Sequence, residues 1–138
     1  MSRRTNIIAV LFLVLFASCA SGRNPQPRAR LVPRVHFRTN SDRIVRASRD
    51  PLVENARWMK ANPGSVLILE GHCDLWGEED YNLNLGDRRA RAVKASLIKE
   101  GVDEDTLTII SFGENNPLDS KHNREAWRKN RRVEFVVR

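Results

Sequence analysis

At 138 residues, 41% of them hydrophobic and 30% charged, the chain has room for one domain of about 100 residues with a modest core. Its formal charge of +7 suits an anionic partner, and the export leader described below turns that charge away from nucleic acid toward a wall polymer or a lipid surface. Two cysteines exclude a disulfide-stapled scaffold once the first is committed to a lipid, so the fold must stand on its core.

Arg3 and Arg4 precede the charge-free apolar run Ile7 to Phe16, which is the charged start and hydrophobic middle of a secretory signal. About ten apolar residues fall short of the roughly 20 that span a bilayer. Phe16-Ala17-Ser18-Cys19 then resembles the lipobox of bacterial lipoproteins, with Phe16 where that motif more often has Leu. The likeness implies removal of residues 1–18, acylation of Cys19 and a durable lipid anchor in a bilayer. Losing Arg3 and Arg4 with the leader leaves a charge of +5. Residues 19–33, with Pro25, Pro27, Pro33 and Gly22 among scattered arginines, have the composition of a tether, and the folded domain is expected over 34–138.

Val35-His36-Phe37 is a short first strand followed by the polar loop Thr39 to Asp42. Asp50-Pro51 offers an N-cap and a first helical position, and Leu52, Val53, Ala56 and Met59 carry the helix to its stop at Asn62-Pro63-Gly64. The continuous apolar run Val66 to Leu69 predicts a central strand covered on both faces. Glu78-Glu79-Asp80 opens a long helix bearing Leu85, Ala90, Val93 and Leu97, with carboxylates suited to its positive end, and Gly101 closes it. Leu107 to Phe112 alternates as a strand, Asn123 to Lys129 forms a short helix, and Val133, Phe135 and Val137 mark a last strand. Strands alternating with helices predict an α/β (α+β) sandwich. Trp58, Trp76 and Trp127 are candidate interface anchors, with core the favoured place for Trp58.

Two blocks carry chemistry. Glu70-Gly71-His72-Cys73-Asp74 is followed after a loop by Asn82, Leu85, Arg89-Ala90 and Val93. Phe112-Gly113-Glu114, Pro117 and Asn130-Arg131-Arg132-Val133-Glu134 close the chain. Together they resemble the signature of the OmpA-like peptidoglycan-binding family over essentially the whole domain, and most of all its lipoprotein branch. The resemblance implies the family's βαβαβ(α)β fold, one mixed sheet covered on one face by two long helices. It implies peptidoglycan as partner, held through the diaminopimelate of its stem peptide. That group ends in an ammonium and a carboxylate on one carbon, and a receptor needs an acid and a forked guanidinium a few ångströms apart. The family's Asp and Arg for this purpose fall on Asp74 and Arg89, whose bland alternative is a structural salt bridge pinning loop to helix. Phe37, Asn40, Asn82, Leu85 and Arg131 are the supporting pocket residues, with Arg131 equally readable as a solvated terminal charge. Arg38 and Thr39 stand where the family has an acid and an aromatic.

No enzyme is expected, because Glu78, Glu79 and Asp80 read as solvated helix-dipole partners and not as two carboxyls set across a bond. No metal or cofactor is expected either, since His36, His72, Cys73 and His122 match no zinc spacing. A nucleic-acid surface would need interleaved aromatic platforms that the basic residues lack. The lipoprotein branch implies TolB and other Tol proteins as partners in envelope constriction, with a bare wall anchor as the alternative; a membrane-spanning stator or porin is not expected. Ala20 after Cys19, in place of Asp, favours the outer membrane, with the domain facing the periplasm.

Overall fold

The computed structural model describes residues 30–138. The leader, Cys19 and most of the tether lie outside them. Within the described residues the elements follow one another as β1 (Arg34–His36), α1 (Arg49–Ala61), β2 (Leu67–His72), α2 (Glu79–Lys99), β3 (Leu107–Gly113), α3 (Arg124–Asn130) and β4 (Arg132–Val137). The sheet is mixed, in the order β1-β4-β2-β3. β2 runs parallel to β3, while β4 is antiparallel to both β1 and β2.

Periodicity explains the layering. Leu52, Ala56 and Met59 form one stripe of α1, and Ala90, Val93 and Leu97 one stripe of α2. Both stripes meet the same sheet face, built from Val35, Leu67, Leu69, Leu107, Val133 and Phe135 at alternate strand positions. Burying each of Leu52, Leu67, Leu69 and Leu97, all fully enclosed, stabilises the fold by roughly 1.5–3 kcal/mol relative to exposure.

Two boundaries and one covering differ from the sequence expectation. α1 begins at Arg49, because a 3-10 turn over Arg46–Ser48 leads into it; Asp50 and Pro51 fall inside the first turn, where a missing N–H costs nothing. β2 is central but not covered twice. Its apolar run mixes Leu67 and Leu69 in the core with Ile68, which faces the other side among Ile110 and Val136, both more than a third exposed. Phe37 follows β1 and joins the sheet end through its amide, which donates to Arg131 O at 2.9 Å.

The long helix ends as its glycine requires. Gly101 has φ of +89°, its amide donates to Ile98 O at 2.9 Å, and the Val102 amide reaches Leu97 O at 3.1 Å. At the opposite end α2 sits directly on the sheet. A Cβ on Gly71 would lie 2.0 Å from Gly86 O, so only glycine allows this backbone contact between β2 and α2. Ser111 Oγ of β3 adds a hydrogen bond to Leu83 O at 2.7 Å. The loop leaving β2 and the first turns of α2 are thereby fixed against each other, and the candidate site lies there.

Candidate functional site

β2 extends past His72 by one more parallel bond, from the Cys73 amide to Gly113 O at 2.8 Å, and the chain then turns at Asp74. Asp74 is almost fully buried. Its Oδ1 accepts from the Trp76 amide at 3.3 Å and its Oδ2 from Arg131 Nη1 at 3.0 Å. Arg131, between α3 and β4, is anchored in turn by Nε donating to Phe37 O at 3.1 Å. The antiparallel pairing of β2 with β4 brings this guanidinium to the exit of β2. An acid and a guanidinium do meet at the mouth, and the guanidinium is that of Arg131, which is not a solvated terminal charge.

Arg89 is enclosed completely and makes no ion pair with Asp74. Its Nε donates to Ser41 O at 2.9 Å, Nη1 to His72 O at 2.8 Å and to Cys73 Sγ at 3.4 Å, and Nη2 to Arg38 O at 3.1 Å. Its guanidinium carbon lies 5.3 Å from the centre of the Phe37 ring. The fork thus ties the loop after β1 to the end of β2. Burial draws its pKa down, against the raising effect of Cys73 and Asp74, and a guanidinium stays charged regardless. Burial pushes the Cys73 thiol up to about 11, so it is a packed thiol donating to Asn82 O, not a nucleophile.

The other expected residues divide by role. Asn82, buried, donates from Nδ2 to Asp74 O at 3.3 Å, to Trp76 O at 3.1 Å and to Glu114, and so braces the turn around Asp74. Asn40 sits in the left-handed region at φ of 48°, which its short side chain tolerates, and accepts from the Tyr81 hydroxyl. Asn40, Leu85, Thr39, Tyr81, Trp76 and Asp74 line a cavity of about 230 Å³. Phe37 lies in the core beneath.

A second cavity, of about 490 Å³, shares Thr39, Asp74 and Trp76 with the first and adds Arg124, Trp127, Arg128 and Arg131. Sequence reasoning named Trp76, Trp127 and Arg131 but missed Arg124 and Arg128. The signal was present: 124, 127, 128 and 131 stand at i, i+3, i+4 and i+7, the spacing of one helix face.

The opposite sheet face holds a different cluster. Glu70, His72 and Glu134 bring potential ligand atoms within 4.8 Å of one another. A cation is already supplied, since Arg132 Nε lies 2.7 Å and Arg34 Nε 3.9 Å from Glu134 Oε1. His72 is enclosed, stacks on Phe112 at 5.3 Å, and has no hydrogen-bond partner for either ring nitrogen among the described residues, with Glu70 Oε2 3.9 Å from Nε2. Burial, helped by the charge of Arg132, lowers its pKa to about 4. An unfolded histidine takes its proton near pH 6.5. Between about pH 6.5 and 4 the unfolded chain therefore binds the extra proton, and stability falls as pH falls through that window. We expect His72 to account for about 3 kcal/mol of that loss. Urea midpoints at pH 7 and pH 4.5 check it: the drop in the wild type should exceed that in His72→Gln, and equal drops would refute it.

The OmpA family model matches residues 36–131 of the chain. The chain is 35% identical over 106 residues to a peptidoglycan-associated lipoprotein of Pseudomonas putida, a match covering 77% of this chain and 63% of that protein. It thus spans just under two thirds of that relative's length. A peptidoglycan-associated lipoprotein of Mesorhizobium japonicum is 30% identical over 153 residues, covering 96% of this chain and 91% of the relative. Among solved structures, the peptidoglycan-associated lipoprotein from Burkholderia pseudomallei matches with a TM-score of 0.75 at 29% identity, covering 78% of this chain and 91% of that one. The C-terminal domain of Helicobacter pylori MotB matches at 0.73 and 25% identity, covering 78% and 84%.

Proposed function

The chain belongs to the OmpA family, and from that premise we propose that its domain binds peptidoglycan non-covalently, through the diaminopimelate end of the stem peptide, and catalyses no reaction. The observation that carries this is the Asp74–Arg131 pair, 3.0 Å apart where the two cavities meet. A zwitterionic end can replace each partner of that pair with its like: the ligand's ammonium takes Asp74, and its carboxylate takes Arg131. Both protein charges remain compensated throughout, which avoids the cost of an unpaired buried ion. Arg89 contributes a fixed positive charge behind the strand end, and one N–H of its five remains uncommitted. Against an enzyme stands the chemistry of the mouth. Asp74 is held by Arg131 and Glu114 by Asn82, while Glu70, whose pKa burial and the nearby Glu134 raise, belongs to the far sheet face.

The relatives' name, a lipoprotein associated with peptidoglycan, supports a lipid anchor, with Cys19 as its proposed site, and a role in tethering a membrane to the wall, with the outer membrane favoured by Ala20 after Cys19. Co-sedimentation tests the wall-binding core of the proposal. The chain should pellet with sacculi whose stem carries diaminopimelate and stay in solution with sacculi carrying lysine there, which lacks the distal carboxylate; equal pelleting would overturn it. The same bound domain offered host extract should retain TolB if the chain serves Tol-dependent constriction and cell division, whereas wall binding without TolB leaves a bare anchor.

A further inference from the structure

Two arginines and two indoles beside the Asp74–Arg131 pair have no part in holding a diamino acid end. Arg124, Trp127, Arg128 and Arg131 share one face of α3 and its C-cap, and that face walls the 490 Å³ cavity opposite Asp74 and Trp76. The other cations of α3 and of the segment that follows it are matched: Lys129 with Asp119 at 3.2 Å and Glu125 at 3.0 Å, Arg131 with Asp74, and Arg132 with Glu134. Among the described residues Arg124 and Arg128 have no carboxylate partner, and both are exposed. Asp74 and Arg131 neutralise each other, so the cavity carries two surplus positive charges.

Its apolar part is equally unused. Trp76 is 62% exposed, more than any other large hydrophobic residue described. Its ring meets that of Trp127 edge to face, with centroids 5.5 Å apart and planes at 80°. The pair forms a fixed corner with little rotamer freedom left to lose when a ligand arrives.

We infer that this cavity takes the main chain of the stem peptide, an acidic peptide whose free carboxylates pair with Arg124 and Arg128 while the Trp76–Trp127 corner covers its methylenes and methyls. This rests on the stem-peptide assignment above and extends it. Three methylenes, about 4–5 Å, separate the two ends of the diamino acid. With the distal end at Asp74 and Arg131, the end built into the peptide falls inside the adjoining cavity. There the stem presents two carboxylates, one on the glutamate that is linked through its side chain and one at the peptide terminus. Two forked guanidiniums match them. A neutral occupant such as a sugar ring would leave both surplus charges unanswered.

Three probes test this on the whole chain by titration calorimetry: free diaminopimelate, the tripeptide L-alanyl-γ-D-glutamyl-diaminopimelate, and the same tripeptide with the glutamate α-carboxyl amidated. The wild type should bind the acid tripeptide about fivefold more tightly than the amide, the size of one exposed ion pair. In the double variant Arg124→Gln/Arg128→Gln the two peptides should bind alike, and free diaminopimelate, which lacks the glutamate carboxylate, should weaken less than the acid tripeptide does. Equal peptide affinities in the wild type overturn the inference alone. So does a double variant that keeps the preference, or one that weakens free diaminopimelate as much as the peptide. A wild type that binds no diaminopimelate overturns the assignment of the pair at Asp74 and the inference with it.

Discussion

Asp74→Ala should abolish co-sedimentation with diaminopimelate-containing sacculi while the domain keeps its native circular dichroism. Removing the carboxylate places the ligand's ammonium against Arg131 with no acid between them. Truncating one member of a buried, hydrogen-bonded charge pair costs about 2–5 kcal/mol of binding, so the affinity should fall at least thirtyfold. The fold should survive the change. The Arg131 side chain is 14% exposed and retains its bond from Nε to Phe37 O, so water can serve the freed Nη1. The Trp76 amide loses the Oδ1 acceptor at the rim of the cavity. Together these come to about 2–3 kcal/mol, where a domain of this size is stable by about 5–15 kcal/mol. Asp74→Asn sharpens the test, because it keeps the volume and an oxygen for the Trp76 amide but removes the charge. It should bind as poorly as the alanine variant, and sacculus binding at wild-type strength in either one would sink the assignment.

The sequence carried the framework of this site further than its detail. Helix ends were legible because their chemistry is local: Asn62-Pro63-Gly64 stops α1, and Gly101 closes α2 with the left-handed residue such an end needs. Asp74 was legible because the block Gly71 to Asp74 has a fixed place at the exit of a strand. Its partner was not. Arg89 and Arg131 both lie in recognisable motifs, and only the pairing of β2 with β4 decides which one reaches the carboxylate across 57 residues of chain. The covering of β2 was misread for a similar reason. An apolar run of four reports burial but not its source: Ile68 is buried on the face where its neighbours Ile110 and Val136 are more than a third exposed, and the strand lacks the cover on both faces that the run predicted. Arg124 and Arg128 went unnoticed although their spacing with Trp127 was plain, because a charged helix face is ordinarily a solvated one until the fold sets a cavity against it.

The strongest effect on stability should come from Arg89→Met. The substitution roughly preserves length but leaves the carbonyls of Arg38, Ser41 and His72 without the donors that now reach them at 3.1, 2.9 and 2.8 Å. Arg89 is completely enclosed and its bond to His72 O is buried, so water cannot replace that donor unless the loop after β1 opens, while the Arg38 and Ser41 carbonyls lie at part-buried contacts. Each stranded buried acceptor costs about 1–3 kcal/mol, so the three together come to about 3 kcal/mol or more. A domain of this size is stable by only about 5–15 kcal/mol. Urea unfolding should therefore show the Met variant close to its limit at 37 °C. Arg89→Lys should fall between, because an ammonium keeps the charge but cannot spread its donors across three carbonyls in one plane. A Met variant within about 1 kcal/mol of the wild type would show that the buried fork is not what joins the loop to β2. Loss of sacculus binding in Arg89→Met would then have to arise from ligand contact. If instead the variant is as unstable as its buried bonds imply, its binding defect says nothing about contact with the ligand, and the Asp74 variants carry that question.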